Sequence, residues 1–587
     1  MTAELPNSAI ADALEELGDL YELDGAIVHR VLAYRTAART VREAAVSVAA
    51  LARAGRATEL AGIGKTLQEK ILALLDSGAI PAAERLRAKF PPGLIALTHL
   101  PGLGPKRARL LYDELGIDSL QALREAALGQ RLRTVKRLGA KFEESMLAAL
   151  DALPGEDGAA AGLQGVPPRS RRLLLPAAIE LGEALAGSLR ERGPEDAYVQ
   201  LAGSARRGAE SVKDLDLVAV TARPELLAGS LASLEQIEAV SSSSESGARG
   251  RTHSGVAVDL RIAAPEQLGN LLQHFTGSGA HNAALRALAV RRGQHVSEYG
   301  ILDDATAATR VCTTEAEVYD ALGLAYIEPE LREGRGELEG EQPNLIELSD
   351  IRGDLHCHTI ASDGKATIAE MAQAARALGY EYLAITDHSA SHGFGNDVSP
   401  AQLRRQIERI EEVDTSLPGM RLLAGSEVNI LPDGSLDYED ELLAQLDWVV
   451  ASVHTAFGMS EQRMTERMIA AIEHPLVDAI GHPTGRLIER REPYALDLEA
   501  VFAAAARTGT LLEINANPDR RDLSETHARA AVAAGVKLVI DSDAHRVQTL
   551  SNMRWGVLTA RRGWLGGADV ANTRGWQELE RLRKRAR

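Results

Sequence analysis

Cysteine is almost missing from this chain. Cys312 and Cys357 are the only two among 587 residues, so no disulfide framework is available. Long apolar runs are missing as well. No stretch approaches the roughly 20 residues that a membrane-spanning helix needs. The opening MTAELPNSAI has no basic segment followed by an apolar one, so no secretory signal is predicted. Together these absences predict a cytoplasmic protein with no membrane partner. Apolar residues at 45% and charged residues at 25% are the profile of a globular chain. The length excludes a single core and predicts three to four domains.

An overall excess of positive charge is also lacking: the formal net charge is −18. That argues against a simple nucleic-acid binder, whose usual footprint is a basic domain. The average conceals opposite halves. Residues 101–141 carry nine basic side chains against four acidic ones, a local charge of +5. The C-terminal half is rich in acids and histidines, as a multi-metal site requires.

Residues 1–150 are helical throughout by apolar spacing, with glycine-containing turns between. A Gly/Ala/Pro-rich stretch at 153–170 and an acidic, Gly-rich one at 328–344 both read as linkers. Residues 171–325 mix helices with short strands. After residue 350, short apolar strands alternate with helical patterns, the mark of repeated βα units.

Two segments share the form apolar-x-Gly-apolar-Gly before a helix: LAGIGKTLQEKI (60–71) and LPGLGPKRARLL (100–111). Gly62 and Gly64, and likewise Gly102 and Gly104, allow a tight turn that brings amides close to a ligand. A helix N-terminus behind them suits a phosphate, and Lys106 and Arg107 add backbone affinity. A single such segment is as readily an ordinary helical corner; two in tandem favour DNA. They resemble helix–hairpin–helix motifs, with a third, VKRLGAKFEESML (135–147), lacking the second glycine. Glu69 and Lys70 follow the first turn, where a lysine is usually a solvated charge. HRVLAYRTAA (29–38) resembles the lyase domain of polymerase beta. That resemblance puts Lys70 at the Schiff-base nucleophile position and matches Tyr34 and Arg35, while Arg30 and Thr66 replace lysines.

GSARRGAESVKDLDLVAV (203–220) carries a second chemistry. Asp214 and Asp216 are two apart on a predicted strand, so both carboxylates share one face while Leu215 and Leu217 enter the core. Such a pair holds Mg²⁺ ions that activate a 3′-hydroxyl and neutralise a triphosphate. VAVDLRI (256–262) offers Asp259 as the third carboxylate. Gly203 and Ser204 supply a turn, and Arg206 and Arg207 supply guanidinium groups for phosphate oxygens. A lone D-x-D is weak evidence; the composite G-S-x-R-R-G-x-E-x-x-x-D-x-D is specific, and it resembles family X DNA polymerases. That resemblance implies two metals (Mg²⁺ or Mn²⁺) on Asp214, Asp216 and Asp259, and triphosphate contacts from Ser204 and Arg207. A second block, HFTGSGAHNAALRALAVRRG (274–293), implies Phe275 and Gly277 at the sugar, Asn282 at the base and Arg286 toward the template. His274 and Ala257 replace a tyrosine and an arginine of the vertebrate enzymes.

In the last third, apolar strands repeatedly end in a metal-competent residue: His356 and His358, then Asp363, His388, Glu427, His454, His482, Asp543 and His545. Glu513 and Asn515 end one more strand. One histidine at a strand end is commonly structural, but nine candidates in one register are too many for a single ion and suit two or three. Strand-end chemistry is the habit of barrels. The series resembles the PHP (polymerase and histidinol phosphatase) domain across 350–570 with all nine positions filled, implying catalysis. Mn²⁺, Zn²⁺ or Fe²⁺ fit the mixed ligands.

Taken together, the resemblances are to bacterial family X polymerases bearing a PHP domain. They predict a multidomain fold: an all-α helix–hairpin–helix N-terminal region, an α+β polymerase beta-like nucleotidyltransferase palm with a small α+β subdomain, and a distorted (β/α)₇ barrel. The expected boundaries are 1–90 (lyase-like), 91–152 (second hairpin region), 153–170 (linker), 171–265 (palm), 266–327 (nucleotide-pocket subdomain), 328–349 (acidic linker) and 350–587 (PHP). The resemblance implies gap-filling DNA synthesis in one half and phosphoester hydrolysis at DNA ends (3′→5′ exonuclease, 3′-phosphatase or abasic-site cleavage) in the other, with gapped or nicked DNA and deoxynucleoside triphosphates as partners, for a monomer acting at the nucleoid. Three other readings stay open. These are an end-processing nuclease or phosphatase with an idle polymerase core, a histidinol-phosphatase-like enzyme, and a DNA-binding scaffold.

Overall fold

The computed structural model describes residues 5–98, 100–136, 138–151, 172–391, 393 and 396–584. The stretch 153–170 and Arg137 lie outside them. The chain divides into two compact units: Met1–Arg171, Ala184–Val199 and Thr221–Ile262 form the first; Arg172–Glu183, Gln200–Val220 and Ala263–Arg587 form the second.

In the first unit, α1 (Asn7–Leu23) buries Ile10, Leu14, Leu17 and Leu20, a three- and four-residue stripe. It packs with the Ala37 and Val41 side of α2 (Val28–Glu43). Both hairpins fold as their glycines predict. Gly62 and Gly102 are left-handed at φ +82° and +83°. Gly64 and Gly104 then stand at the N-caps of α3 (Lys65–Ser77) and α4 (Pro105–Leu115). The weaker third copy differs. Helix α5 (Ala140–Asp151) buries Glu143, whose carboxylate accepts the Leu132 N–H at 3.1 Å and binds Arg133. The unit also holds three antiparallel strands, Ile237–Ser244, Gly247–Thr252 and Ala257–Ala263, the last running one residue past its boundary.

In the second unit, β1 (Asp214–Val220) alternates as expected, with Leu215 and Leu217 buried and Asp214 exposed. Helices α6 (Leu268–Thr276) and α7 (Gly279–Arg291) belong to a small α+β body. Its core includes Leu285, Ala289, Val318, Tyr319 and Ile327. The acidic stretch 328–344, expected to be a linker, is packed here. Arg332 is fully buried, lies over the rings of Tyr319 (5.1 Å) and Tyr326 (5.3 Å) and pairs with Glu315. Buried Glu337 holds His281 Nδ1 at 2.7 Å. Composition misleads because Arg332 and Glu337 each have a polar partner inside the body.

The rest of the unit is a parallel seven-stranded sheet in chain order: β2 (Gly353–Cys357), β3 (Tyr382–Ile385), β4 (Arg421–Asn429), β5 (Trp448–Ser452), β6 (Ala479–Ile480), β7 (Leu511–Asn515) and β8 (Leu538–Asp541). First and last strands meet. Cys357 bridges Ala544, the Leu355 N–H donates to Asp541 at 2.8 Å, and the Ser542 N–H donates to Asp354 at 3.1 Å. The result is a near-closed barrel. Along β4, β5, β7 and β8, alternate residues fall into two apolar clusters. Leu423, Trp448, Val450, Leu511 and Val539 form one with Trp576 and Leu579; Leu422, Val449, Leu512 and Ile540 belong to the other. The first row turns polar at the strands' C-terminal ends, reaching Glu427, Glu513 and Asp541. That switch seats the chemistry at one end of a sealed barrel.

Trp448 is fully buried in the row's apolar end. Trp448→Ala is expected to cost about 3–5 kcal/mol, read as a lowered midpoint for the barrel's transition in urea.

Candidate metal centre and nucleotide-binding loop

The nine predicted ligands all arrive at the C-terminal ends of the barrel strands. His356 lies within β2 and Glu427 within β4; the others stand on the turns that follow β2, β3, β5, β6 and β8. They form overlapping groups: His358, Asp363, His388 and His545; His356, His358 and Asp543; and His388, Glu427 and His454. His482 joins through Glu427 at 2.9 Å. Asp363 meets His545 at 3.1 Å and Asp543 meets His358 at 3.1 Å. His356 Nε2, both ring nitrogens of His358, and Glu427 Oε2 are buried with no hydrogen-bond partner among the described residues. Imidazole and carboxylate groups gathered in one space, several of their atoms without a well-formed hydrogen bond, suit a cluster of divalent ions.

The electrostatics agree. Burial alone would raise the Glu427 carboxyl, but His454, His388 and His356 outweigh it and hold it well below the usual carboxylate range. Asp543 is held low in the same way by His356, His358 and His545. Burial, reinforced by His545 and His388, pushes His358 down to about 4. That favours the neutral imidazole, the form that ligates metal.

Behind the ligands lies a supporting shell that the sequence did not reveal as such. Glu513 Oε1 binds His356 Nδ1 at 2.7 Å, and its Oε2 accepts the His482 N–H at 2.5 Å. Asn515 Nδ2 donates to Glu513 at 3.1 Å and to Asp543 at 3.0 Å. Asp387 accepts from Thr359, Ser362 and Gln406, fixing the turn that carries Asp363. Arg520 places Nε 3.8 Å from Asp543. The EIN and TDH strings name these residues, but no spacing names their partners.

In the nucleotidyl-transfer sequence, a Cβ on Gly203 (φ +61°) would lie 1.9 Å from Asp216 Oδ2, so only glycine fits that turn. Asp214 and Asp216 stand on β1 in the second unit. Asp259 lies in the first, bound to Arg249 at 3.1 Å and Arg261 at 2.8 Å. Arg206 is committed internally, to Glu315 at 2.6 Å and Thr276 at 2.6 Å. Arg207 donates to Glu333 at 3.0 Å and to the Thr276 carbonyl at 2.8 Å. Asn282 is buried and satisfied by Gln273 at 3.0 Å and the His274 carbonyl at 2.6 Å. Gly277 packs against it; Ser204 and Phe275 are half-buried, and Arg286 is exposed.

Among the hairpin residues, Lys106 is exposed, with Glu22 at 3.6 Å. Arg107 reaches back to the Gly102 carbonyl at 2.9 Å. Lys70 is half-buried on α3. Arg35 is held by Asp19 and Glu22, each at 2.6 Å. Tyr34, stacked on Tyr21 at 5.2 Å, is pushed up to about 12 by burial and then by that neighbour.

Fold and site define a multidomain enzyme in which hairpin modules and a polymerase body are joined to a metal-dependent phosphoesterase barrel. Family models match the same parts. A helix–hairpin–helix domain matches 5–80, a SAM-like helix–hairpin–helix tandem 94–152, the DNA polymerase beta thumb 271–333, and the PHP domain 354–517. The chain is 37% identical to the DNA polymerase/3′–5′ exonuclease PolX of Bacillus subtilis (strain 168), over 97% of this chain and 98% of that protein. Probable phosphatases of Acetivibrio thermocellus and Thermoanaerobacter sp. (strain X514) are 35% and 37% identical over 33% of the chain, covering 78% of each. The chain belongs to the family X DNA polymerases that carry a C-terminal PHP domain.

Both carboxylate oxygens of Glu513 are taken up by ligand residues, Oε1 by His356 and Oε2 by the His482 N–H. Glu513→Gln is expected to weaken metal retention about 10- to 100-fold, measured as metal content after graded chelation, with Glu513→Asp recovering part of the loss.

Proposed function

We propose that the chain fills gaps in DNA with its polymerase half and hydrolyses phosphoesters at DNA ends, 3′→5′ shortening foremost, with its barrel. The convergence of nine imidazole and carboxylate ligands at one end of the barrel supports the second activity most strongly. Two or three Mn²⁺, Zn²⁺ or Fe²⁺ ions would be held by His356, His358, Asp363, His388, Glu427, His454, His482, Asp543 and His545. Such ions polarise a phosphoryl oxygen and lower the pKa of bound water. Asp214, Asp216 and Asp259 would hold Mg²⁺ or Mn²⁺ for nucleotidyl transfer, with Ser204 and Arg207 on the triphosphate, Phe275 and Gly277 at the sugar, Asn282 at the base and Arg286 toward the template. The hairpins at 60–71 and 100–111 would grip gapped or nicked DNA through backbone amides. Lys70 would serve as a lyase nucleophile. We assign 1–90 and 91–152 to DNA holding, 171–265 to the palm, 266–327 to the nucleotide pocket and 350–587 to end processing, in a monomer working at the nucleoid.

One observation favours a second reading, an end-processing enzyme with a weak polymerase. Arg207 and Asn282 are occupied by the protein's own groups. A 5′-labelled primer on gapped DNA with Mn²⁺ separates the two. Extension with deoxynucleotides and shortening without them is the outcome expected of the first reading. Asp216→Ala should then lower extension at least about 1,000-fold and spare shortening, while His356→Ala does the reverse. If Asp216→Ala leaves all products unchanged, the polymerase reading is wrong. Glu333 must also yield Arg207 to an incoming triphosphate. Glu333→Gln is therefore expected to lower the KM for deoxynucleotide several-fold, and Arg207→Ala to raise it and abolish that effect.

A further inference from the structure

Along the loops that carry Asp363 and His545 lies a cavity of about 530 Å³. Its walls include Lys365, Glu370, Gln373, Arg546 and Gln548, from the start of α8 (Ile368–Ala377) and the turn after β8. Lys365 is two residues beyond Asp363, and Arg546 is one beyond His545. The two loops are laced together: the Lys365 N–H donates to the His545 carbonyl at 2.7 Å, and Asp363 meets His545 at 3.1 Å. Two cations from separate loops therefore converge beside the ligands.

Both cationic side chains are exposed, and among the described residues neither enters an ion pair. The one acid in the wall, Glu370, accepts the Thr367 N–H and hydroxyl at 2.8 Å each, so the wall carries two cations against one carboxylate. Gln373 and Gln548 add amide groups of either polarity. On a chain of net charge −18, two cations against one carboxylate, carried next to Asp363 and His545 in the chain, form a local anion trap. The volume lies in the range of about 300–1,000 Å³ that holds ligands larger than a lone anion.

We propose that this cavity is a strand-binding subsite. Lys365 and Arg546 hold the phosphodiester backbone next to the scissile bond, and the pocket takes the attached nucleotide. The subsite rests on the reading of the barrel as a DNA-end hydrolase and deepens it, because it makes the centre prefer a polynucleotide to a small phosphoester. Neither residue is a metal ligand, so the subsite acts on binding and leaves the chemistry alone.

The test uses the full-length protein with Lys365→Ala and Arg546→Ala combined. Two substrates are compared in Mn²⁺: a 5′-labelled single-stranded oligonucleotide and bis-p-nitrophenyl phosphate, a phosphodiester with no neighbouring phosphate for Lys365 and Arg546 to hold. The double variant is expected to raise the oligonucleotide KM about 10-fold. It should also flatten the slope of log(kcat/KM) against log[salt] by about 1.4, the share of two phosphate contacts on a single strand, while turnover of the small diester stays within about two-fold. Lys365→Arg should restore most of the loss. An unchanged oligonucleotide KM and salt slope would overturn the subsite. Equal losses on both substrates would also overturn it, assigning the residues to support of the metal loops. If the unaltered protein cleaves the small diester but no oligonucleotide, the DNA-end reading itself fails and the subsite falls with it. Should the double variant fold poorly, by metal content and melting temperature, Lys365→Gln and Arg546→Gln taken singly each carry half of the slope change.

Discussion

Glu427 is a carboxylate with almost no access to water, approached by five imidazoles: His388 at 2.8 Å, His482 at 2.9 Å, His454 at 3.2 Å, His356 at 3.5 Å and His358 at 3.6 Å. An isolated buried carboxylate costs several kcal/mol unless it is paired or ligates a metal. The same holds for a ring nitrogen with no partner. The barrel can keep these groups together only if each supplies what the others lack, or if cations do. That one condition accounts for the sealed apolar layer beneath them, for the carboxylates that stitch β2 to β8, and for the Glu513–Asn515 shell that aims His356 and Asp543.

The same unit carries a second organised charge system, away from the ligands. The loop that joins Gly203 to β1 is fastened to the barrel by arginines. Arg521 donates to the Gly208 carbonyl at 3.0 Å, Arg562 to the Arg207 carbonyl at 2.7 Å, and Arg486 to Glu210 at 2.7 Å. Glu333 is shared by Arg207 and Arg562. Leu558 closes over Gly208, where any Cβ would come within 2.7 Å of it. The 203–214 loop and the barrel are thus parts of one polar fabric. Arg520 faces Asp543 and Arg521, its neighbour in the chain, faces that loop.

Much of this was legible in the sequence, for reasons that can be named. Local periodicity fixes which side of β1 bears Asp214 and Asp216, and the glycines at 62 and 102 fix left-handed turns whatever surrounds them. Strand ends that repeat a ligand-competent residue announce a barrel site because every parallel βα unit points its C-terminal end the same way. The acidic stretch at 328–344 misled, since composition weighs charge as solvated while Arg332 and Glu337 each found a buried partner far along the chain.

The sequence by itself therefore determined the kinds of element, the candidate ligands at the strand ends and the family, all of which depend on neighbours within a few residues or on the order of motifs. Partnerships were decided only by the tertiary structure. It set Glu513 behind His356, engaged Arg207 with Glu333, turned Asn282 inward, and brought Lys365 and Arg546 to one cavity. Those pairings join residues from 9 to 181 positions apart. No local pattern encodes which of many chemically suitable partners a side chain will meet; packing of the whole unit selects it.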